Sequence, residues 1–361
     1  MIIIQILKSI FFLTLSLITI FRCYFKNKKN AQFIILKEKN KNLIDTRLKI
    51  YQKNNKNNNF VNFLRGQSFF GGLKIYFKID NVIFFNHIFN VLEFTQLILG
   101  IKQHQIKKNY IFLLYKIIRI IKIENFHTID DYRNIKIFSE VCKLNKVKLY
   151  IYQHGRISIN LKYQKSLKNL TFEKYFVWNK YSKKKLMCLN NKYQSNKIVI
   201  INKLSFLKKI QIHKIKQKNI LIIQEDLIKR NSIIKLINLL KRLKNKRIYF
   251  KFRPNNLIDQ KLENFLFNSN IRYFHKENIY EIFKKFKINY LLASNSSLLL
   301  EASYFFIHPI LFYEKKPILK DFIKDKVVFH SSIRNINSVI LNLSKTKKSM
   351  LKSIKKNVWG N

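Results

Sequence analysis

Short runs of β-branched and aromatic residues alternate along the chain with longer segments in which apolar residues recur every three or four positions. The short runs predict β-strands, and the longer segments predict helices. The strands predicted in this way are Phe33–Leu36, Val82–Phe85, Val147–Tyr152, Tyr175–Trp178, Lys197–Ile201, Ile220–Ile223, Arg247–Phe252, Ile288–Leu292 and Pro309–Phe312. Helical periodicity is clearest in Ser232–Leu243, Glu277–Phe286 and Ser297–Phe305. Such alternation is typical of parallel sheets covered by helices, which places the chain in the α/β class.

Length and loop composition indicate how these elements are divided. The chain has 361 residues, of which 47% are hydrophobic. This composition excludes a disordered chain, and about 100–200 residues per domain favours two domains. Tyr51–Asn59 is a polar low-complexity loop, and Gln211–Lys218 is a charged bridge between two strand signals. We therefore predict a separate segment at residues 1–30, an N-terminal domain over residues 31–210 and a C-terminal domain over residues 211–361.

The N-terminal segment is apolar and has a basic flank. Residues 9–21 form an uncharged apolar run that precedes a cluster of basic residues, Arg22, Lys26, Lys28 and Lys29. A bilayer-spanning helix needs about 20 apolar residues, a length that Met1–Phe21 reaches as a whole. The basic cluster would hold the following domain on the cytoplasmic side. The sequence thus predicts an anchor at the inner face of the cell membrane, or alternatively a buried first helix of the N-terminal domain.

The charge of the chain is strongly positive. Lys and Arg number 71 against 19 Asp and Glu, which gives a net charge of +52. Such a balance ordinarily indicates a nucleic acid or an anionic membrane as partner. The lysines are scattered, however, and accompany abundant Asn, Ile, Phe and Tyr, so we interpret the excess as compositional drift over solvated faces. The expected partners are nucleotide phosphates and an anionic membrane surface, with no specific nucleic acid. A polyanion-binding role is the alternative.

The cysteines indicate neither a metal site nor a disulfide framework. Cys23, Cys142 and Cys188 are widely separated, show no CxxC spacing and have no paired histidines nearby. This pattern agrees with a reducing compartment, so we expect a cytoplasmic protein without a metal or another cofactor.

The first candidate site follows the predicted strand Val147–Tyr152, which runs directly into Gln153, His154 and Gly155. Open α/β sheets bind their ligands at the carboxyl ends of their strands. A neutral imidazole at His154 can take a proton from an attacking hydroxyl, and Gly155 allows the backbone to approach a substrate closely. The alternative is a turn histidine that is hydrogen-bonded to a loop carbonyl.

Two carboxylates precede this site. Asp130 and Asp131 lead into a helical stretch that ends before the strand at Val147. They could cap that helix, because acidic groups favour a helix amino terminus. Asp131 could instead orient an acceptor sugar or His154.

A second candidate site lies in the C-terminal half. The strand Ile220–Ile223 ends in Gln224, Glu225 and Asp226, and a later strand ends near Arg253. A guanidinium at a strand end can hold a phosphate through two parallel hydrogen bonds, which Lys cannot. The alternative is an edge strand with solvated charges.

The strongest local signal is the turn after the strand Ile288–Leu292. Ser294, Asn295, Ser296 and Ser297 open an apolar helix that contains Glu301. Hydroxyl groups and backbone N–H groups at a helix amino terminus suit a phosphate or diphosphate. Plain capping by Asn295 or Ser296 would also explain these residues.

Together these motifs resemble the GT-B enzymes that build bacterial surface polysaccharides, particularly the CDP-glycerol glycerophosphotransferase and polysialyltransferase groups. The resemblance runs from about residue 120 to about residue 315. It implies two Rossmann-like domains that face a cleft, with the acceptor on the N-terminal side and the nucleotide donor on the C-terminal side. In those families the histidine of a His-Gly pair is the proposed base, which implies that role for His154. A basic-x-His-Pro element and a serine-rich turn contact the donor phosphate there, and Lys251 to Pro254 and Ser294 to Ala302 occupy these places.

Two positions depart from the pattern of these families. Arg253 replaces the expected histidine, so phosphate binding can persist whereas proton donation to the leaving group cannot. Gln224-Glu225-Asp226 lacks the glycine of the sialyltransferase acidic motif, which leaves sialic acid transfer unsupported. The resemblance therefore implies metal-independent transfer from a nucleotide-activated donor to a saccharide or lipid-linked acceptor. Its candidate residues are His154 and Asp131 for catalysis, Gln153 and Gly155 beside the acceptor, and Glu225, Arg253, Ser294, Ser296, Ser297 and Glu301 at the donor. A nucleotide-sugar epimerase of the same fold is the enzymatic alternative.

Overall fold

The computed structural model describes residues 2–35, 60–65, 81–84, 103–129, 135–153, 155, 157–158, 166–202, 204, 218–224, 228–253, 259–345 and 348–360. The predicted loop Tyr51–Asn59 lies outside these residues, as does the predicted bridge Gln211–Lys218 except for its last residue.

Within these ranges strands and helices alternate. The strands are β1 (Asn30–Ile35), β2 (Phe60–Arg65), β3 (Val82–Phe84), β4 (Asn125–Ile129), β5 (Lys148–Tyr152), β6 (Lys174–Val177), β7 (Ile198–Ile200), β8 (Lys218–Ile223), β9 (Lys246–Lys251), β10 (Arg272–Phe274), β11 (Ile288–Ala293), β12 (His308–Tyr313) and β13 (Phe329–Ser332). The helices are α1 (Ile2–Phe25), α2 (Gln103–Ile121), α3 (Ile135–Leu144), α4 (Lys180–Leu189), α5 (Arg230–Leu240), α6 (Gln260–Asn268), α7 (Ile279–Lys285), α8 (Leu298–Tyr304), α9 (Lys320–Lys324), α10 (Ile336–Lys345) and α11 (Lys348–Trp359).

The strands form two sheets. The first has the order β3-β2-β1-β4-β5-β6-β7, and the second has the order β10-β9-β8-β11-β12-β13. The strand pairs of the second sheet are all parallel, as are those from β3 to β6 in the first. In both sheets the order runs outward in one direction and then reverses, which is the Rossmann arrangement. The predicted α/β class with two Rossmann-like sheets is confirmed.

The chain divides into two compact units. Unit 1 comprises Met1–His154, Ser166–Phe176 and Gln194–Val199. Unit 2 comprises Gly155–Lys165, Val177–Tyr193 and Ile200–Asn361.

Both faces of the second sheet are buried, which explains why its central strands are continuous apolar runs. Ile220 and Ile222 of β8 belong to one hydrophobic cluster, and Leu221 and Ile223 belong to another. Successive side chains of a strand point to opposite faces, so each cluster lies on one side of the sheet. The clear signals at β8, β11 and β12 follow from this double burial.

Four strands were not predicted from the sequence: β2, β4, β10 and β13. β4 reads Asn-Phe-His-Thr-Ile, and β13 reads Phe-His-Ser-Ser. Polar residues interrupt their apolar pattern, and β10 has only three residues. Pairing with neighbouring strands stabilises these strands, and such pairing cannot be predicted from the pattern of residues within the strand alone.

Several helices end in a left-handed residue that is not glycine. Lys122, Lys146, Asn270 and Lys326 have φ between 53° and 60°. The residue after each donates its N–H to a carbonyl five positions earlier, at 2.8–3.1 Å, and is buried. This is the hydrogen bond of a Schellman C-cap, for which glycine is the usual residue. Because the chain has only 6 Gly, Lys and Asn occupy these positions at a cost of about 1–2 kcal/mol each.

Helix α1 is longer than the predicted apolar run and packs one face against β3. The Phe12 and Phe84 ring centroids are 4.4 Å apart. The Oγ of Ser16 accepts a hydrogen bond from the backbone N–H of Phe84 at 2.9 Å and donates to the carbonyl of Phe12 at 2.7 Å. These contacts agree with the interpretation of a first helix of the N-terminal unit. Within the described residues, α1 is also the helix that is long and apolar enough to cross a membrane.

Candidate functional site

Three chain segments meet where β8, β9 and β11 end. Because β8 lies between β9 and β11, Gln224 is flanked by the segment of Arg253 on one side and that of Ser294 on the other. The Oε1 of Gln224 accepts a hydrogen bond from the backbone N–H of Arg253 at 3.1 Å. The strand order reverses between β8 and β11, and open α/β sheets bind their ligands outside the carboxyl ends of the strands at such a point. This edge of unit 2 is therefore the candidate site.

Strand β9 holds Lys251 inside the protein. β9 is not an edge strand, because it lies between β10 and β8, and Lys251 is buried. Its Nζ donates to the carbonyls of Phe252 at 3.1 Å and His275 at 2.7 Å. Burial lowers the pKa of this ammonium, and the Glu277 carboxylate opposes that shift. Lys251 thus ties the ends of β9 and β10 together, while Arg253 is exposed.

The hydroxyl turn after β11 presents three serines. Ser294 is buried, and its Oγ has no hydrogen-bond partner in the part of the chain that the structure describes. The Oγ of Ser296, one position before the N-cap, accepts the backbone N–H of Leu298 at 3.3 Å. Ser297 is the N-cap of α8 and makes no side-chain capping bond. Since α8 has only 7 residues, its dipole is small, and the hydroxyl groups are the main donors of the turn.

Glu301 forms hydrogen bonds that fix the hydroxyl turn. Its side chain is buried. Its Oε2 accepts a hydrogen bond from the Tyr280 hydroxyl at 2.5 Å, and its Oε1 accepts one from the Ser297 hydroxyl at 3.2 Å. Tyr280 is the second residue of α7, and the side chain of the N-cap Asn278 accepts the Tyr280 N–H at 2.9 Å. The carboxylate therefore joins the start of α7 to the hydroxyl turn.

A further polar group at this edge was missed in the sequence analysis. His275 follows β10 directly, and its ring stacks on Phe252 at 4.7 Å between centroids. Its Nε2 lies 3.0 Å from the Oε1 of Glu263, and its backbone N–H donates to Glu277 at 2.7 Å. The strand before His275, β10, has only three residues. Its sequence pattern was too short for a strand to be predicted, so His275 was not placed at a strand end.

In unit 1 the carboxyl ends of β4 and β5 are adjacent. Ile129 pairs with Tyr152, so the segments that carry Asp131 and His154 leave neighbouring strands. Gln153 is buried and donates its backbone N–H to the carbonyl of Phe176 at 2.9 Å. Asp131 and His154 themselves lie outside the described residues, as does Glu225 in unit 2.

A buried histidine lies just below this edge of unit 1. His127 stacks on Tyr150, with ring centroids 4.7 Å apart, and its Nδ1 lies 3.1 Å from the Tyr152 hydroxyl. Burial lowers the pKa of His127 from 6.5 to about 4, so the ring is neutral at physiological pH. The sequence analysis missed this residue because β4 itself was not predicted.

Gly155 needs no special backbone conformation. A Cβ added there would meet no atom of the described residues within 4 Å, and its φ does not lie in the left-handed region. Three positions later, the Ser158 hydroxyl donates to the Oδ1 of Asp321 at 2.8 Å. Asp321 adjoins the ion pair of Lys185 with Asp325, and the Tyr181 hydroxyl donates to Asp325 at 3.0 Å. This buried polar cluster of unit 2 fixes the chain shortly after the predicted acceptor motif.

Two other features bear on the chemistry of the protein. His308 lies at the amino end of β12, at the edge opposite the candidate site, and its Nδ1 donates to the carbonyl of Asn289 at 3.2 Å. Its role is therefore structural. Across the described residues, no three His, Cys, Asp or Glu side chains are grouped as a metal site requires.

Comparison with known proteins identifies the fold but no family. Neither the protein-family models nor the curated protein sequences give a match. Among solved structures, S. aureus MnaA with UDP has a TM-score of 0.57 at 12% identity, covering 92% of this chain and 91% of that one. UDP-GlcNAc 2-epimerase from Neisseria meningitidis, bound to UDP-GlcNAc, has a TM-score of 0.53 at 12% identity, covering 91% and 97%. The apo lipopolysaccharide outer core galactosyltransferase WaaB has a TM-score of 0.52 at 10% identity, covering 91% and 95%.

At these identities the likeness shows the fold alone. It extends over nearly the whole of each chain, and the order of strands in both sheets agrees with it. The protein thus has the two-domain GT-B-like fold that the sequence predicts.

The depressed pKa of His127 makes stability depend on pH. Between about pH 6.5 and pH 4 the unfolded chain binds a proton at this ring that the folded chain excludes, so the free energy of unfolding falls as the pH drops. We expect the parent to lose on the order of 3 kcal/mol more than His127→Phe between pH 7 and pH 4, since one pKa unit corresponds to about 1.4 kcal/mol. Urea unfolding at both pH values measures this difference, and equal losses in parent and variant would contradict the assignment.

Proposed function

We propose that the chain is a metal-independent transferase that moves a glycosyl or polyol-phosphate group from a nucleotide-activated donor to a saccharide or lipid-linked acceptor. The observation that carries this proposal is the carboxyl edge of the second sheet, where Gln224, Arg253 and the hydroxyl turn adjoin the point of strand reversal. Guanidinium and hydroxyl donors at this place suit the phosphates of a nucleotide.

The Ser294 hydroxyl is the most specific support for a ligand at this edge. A buried hydroxyl without a hydrogen bond destabilises the folded state by about 1–3 kcal/mol. Asn81, Asn219 and Asn337 also have a buried side-chain oxygen without a partner in the described part of the chain. Asn219 and Asn337 each donate through Nδ2 to a backbone carbonyl, at 2.5 and 2.8 Å, and so have a structural role. Asn81 is a left-handed residue directly before β3 of unit 1, whereas Ser294 lies at the carboxyl edge of the second sheet. Ser294 has a single polar side-chain atom, and a phosphate oxygen would satisfy it.

Arg253 and the serines of the hydroxyl turn are the proposed contacts to the donor phosphate. In the proposed reaction an acceptor hydroxyl oxygen bonds to the donor carbon or phosphorus while the bond to the nucleotide phosphate breaks. The leaving phosphate takes the electron pair, and Arg253 and the Ser296 hydroxyl stabilise its charge. Ser297 contributes its backbone N–H, because its hydroxyl proton is donated to Glu301. Glu301 acts as a positioning residue because its carboxylate holds Ser297 and Tyr280. Glu225 stays a candidate donor contact from the sequence.

The proposed acceptor side is the segment after β5. His154 takes the proton of the acceptor hydroxyl, Asp131 orients this base or the acceptor, and Gln153 and Gly155 shape the loop. Among the described residues none comes within 4 Å of a Cβ added at Gly155, which agrees with a close approach of the substrate to the backbone.

The similar structures suggest which donors to test first. S. aureus MnaA was solved with UDP, the Neisseria enzyme with UDP-GlcNAc, and WaaB is a galactosyltransferase. Uridine nucleotides therefore come first and cytidine nucleotides second, the latter because of the resemblance to CDP-glycerol enzymes. A shared fold hosts several chemistries, so these donors are starting points for a screen.

An epimerase of the same fold is the second candidate, because the similar structure from Neisseria meningitidis is a UDP-GlcNAc 2-epimerase. Epimerisation needs acidic residues around the sugar. The described carboxylates at this edge, those of Glu263, Glu277 and Glu301, all accept hydrogen bonds from within the protein. Their engagement favours transfer over epimerisation.

Replacement of Arg253 tests the phosphate contact. Arg253→Lys keeps the charge but loses the two-pronged hydrogen bonds, which contribute about 1.5–3 kcal/mol, so nucleotide affinity should fall by roughly ten- to a hundredfold. Arg247→Lys is the matched control, because Arg247 is an exposed arginine near the amino end of the same strand. Calorimetric titration with UDP and CDP measures both affinities. If Arg253→Lys binds the nucleotide as tightly as the parent does, Arg253 is not the donor contact.

Ser294→Ala should have opposite effects on folding and on binding. Without ligand the variant loses a buried hydroxyl that has no partner among the described residues, so its melting temperature should equal or exceed that of the parent. With ligand it lacks one hydrogen bond, so nucleotide affinity should fall by about three- to tenfold. Thermal unfolding with and without UDP or CDP measures both effects. A lower melting temperature together with unchanged nucleotide affinity would show that the hydroxyl is structural.

His154→Ala should separate binding from turnover. A base that contacts the acceptor does not hold the donor, so nucleotide affinity should stay within about twofold of the parent while transfer falls by at least a hundredfold. Measurement of product formation beside nucleotide binding in the same preparation tests this expectation. Retained transfer would remove His154 from the mechanism, and lost nucleotide binding with retained folding would place it at the donor.

A further inference from the structure

The exposed side of α1 is apolar, whereas its buried side carries hydroxyl groups. The buried stripe consists of Ser9, Phe12, Ser16, Thr19, Ile20 and Cys23. The opposite stripe consists of Leu7, Ile10, Phe11, Leu17, Ile18, Phe21, Tyr24 and Phe25, which are between 40% and 68% exposed. A surface helix of a protein surrounded only by water shows the reverse distribution, with polar residues outside.

Three hydroxyl groups of α1 are satisfied within the helix itself. Thr14, Ser16 and Thr19 each donate to the carbonyl four residues earlier, at 2.7–3.1 Å. Thr14 is the exposed one of the three, and its bond to the backbone leaves the face between Leu7 and Phe25 mainly apolar. Contiguous apolar surface of this kind marks an interaction site.

Basic side chains surround the carboxyl end of this face. Arg22 and Lys26 are exposed, and Lys122 at the end of α2 places its Nζ 5.5 Å from the centre of the Tyr24 ring. Neither Met1–Ile35 nor α2 contains an Asp or Glu. The Glu124 carboxylate beside this end is paired with Lys29 at 2.8 Å, and Arg22, Lys26 and Lys122 leave the surface with a net positive charge. The surface is therefore complementary to an anionic apolar partner, which is the character of a bilayer with acidic headgroups.

Two other occupants fit this face less well. A bilayer-spanning α1 would have to leave β3, to which it is joined through Phe12 and through the hydrogen bond of Ser16 to Phe84. A second copy of the chain would present the same basic residues to this face, because an isologous interface pairs identical patches. Like charges would then oppose each other.

We propose that the outer face of α1 is an in-plane membrane-binding surface that inserts its apolar residues among anionic lipids while the inner face stays packed on β3. This inference does not depend on the proposed transfer reaction. The sequence predicts either a membrane anchor or a buried first helix at the N-terminus. In this proposal the outer side of α1 binds the membrane and the inner side packs in unit 1.

Flotation of the full-length protein with lipid vesicles tests this surface. We expect binding to vesicles of equal parts phosphatidylglycerol and phosphatidylcholine, at least tenfold weaker binding to phosphatidylcholine alone, and weaker binding in about 0.5 M NaCl. Phe21→Gln with Phe25→Gln should lower the partition coefficient at least tenfold, since two exposed aromatic rings leave the interface. Phe267→Gln is the matched control, because Phe267 is 73% exposed on α6 of unit 2, and its binding should equal that of the parent. Equal melting temperatures show that the variants fold.

Three results would overturn the inference. The first is vesicle binding by the double variant equal to that of the parent. The second is a parent that forms a dimer in sedimentation velocity and binds no vesicles, with the double variant monomeric, because the face would then be an interface between copies. The third is bound protein that does not transfer to a tenfold excess of fresh vesicles, since a spanning helix does not exchange between vesicles.

Nucleotide affinity of the double variant equal to that of the parent would confirm that this surface and the donor site are separate.

Discussion

Parallel pairing is the constraint on which the rest of this structure depends. Parallel strands need crossovers, crossovers cover the sheet with helices, and covered sheets need strands that are apolar on both sides. The split of β8 between two hydrophobic clusters shows this requirement in one strand. Parallel pairing also brings every carboxyl end to one edge. The site residues therefore lie together without being close in sequence: Gln224, Arg253 and Ser294 follow three adjacent strands, and β8 at their centre is where the order reverses.

The composition of the chain changes how ordinary structural tasks are done. With few glycines, the left-handed ends of several helices are Lys or Asn. With 19 acidic residues against 71 basic ones, several of the described carboxylates are hydrogen-bonded at buried or half-buried places, as Asp321 is to Ser158 and Glu301 is to Tyr280. The basic excess is spread over exposed faces, in agreement with compositional drift. Around α1 exposed apolar residues and an excess of basic residues coincide, which is the basis of the membrane surface proposed above.

Elements with a clear local pattern of apolar and polar residues were predicted from the sequence, whereas elements and side-chain positions that depend on tertiary contacts were missed. Strands buried on both faces were found, as was the hydroxyl turn after β11, because an apolar strand, a run of serines and a helix are contiguous there. β4 and β10 were missed because neighbouring strands stabilise them, and His127 and His275 were missed with them. The buried position of Lys251 was not predictable either, because its acceptors lie on residues 252 and 275. For Glu301 the sequence indicated a donor contact, whereas its buried carboxylate holds Tyr280 and Ser297.

Natural sequences satisfy local rules nearly everywhere, and the places where they do not are expected to be functional. Ser294 and the outer face of α1 break two different rules. Ser294 buries a hydroxyl without a protein partner in the described residues, although an alanine would pack at that strand end without this cost. The helix exposes apolar residues to the surroundings and turns hydroxyl groups inward. Neither feature stabilises the isolated protein in water. A donor phosphate would form a hydrogen bond with the Ser294 hydroxyl, and a lipid surface would cover the apolar face of α1. Each exception to the local rules therefore indicates the chemistry of a binding partner.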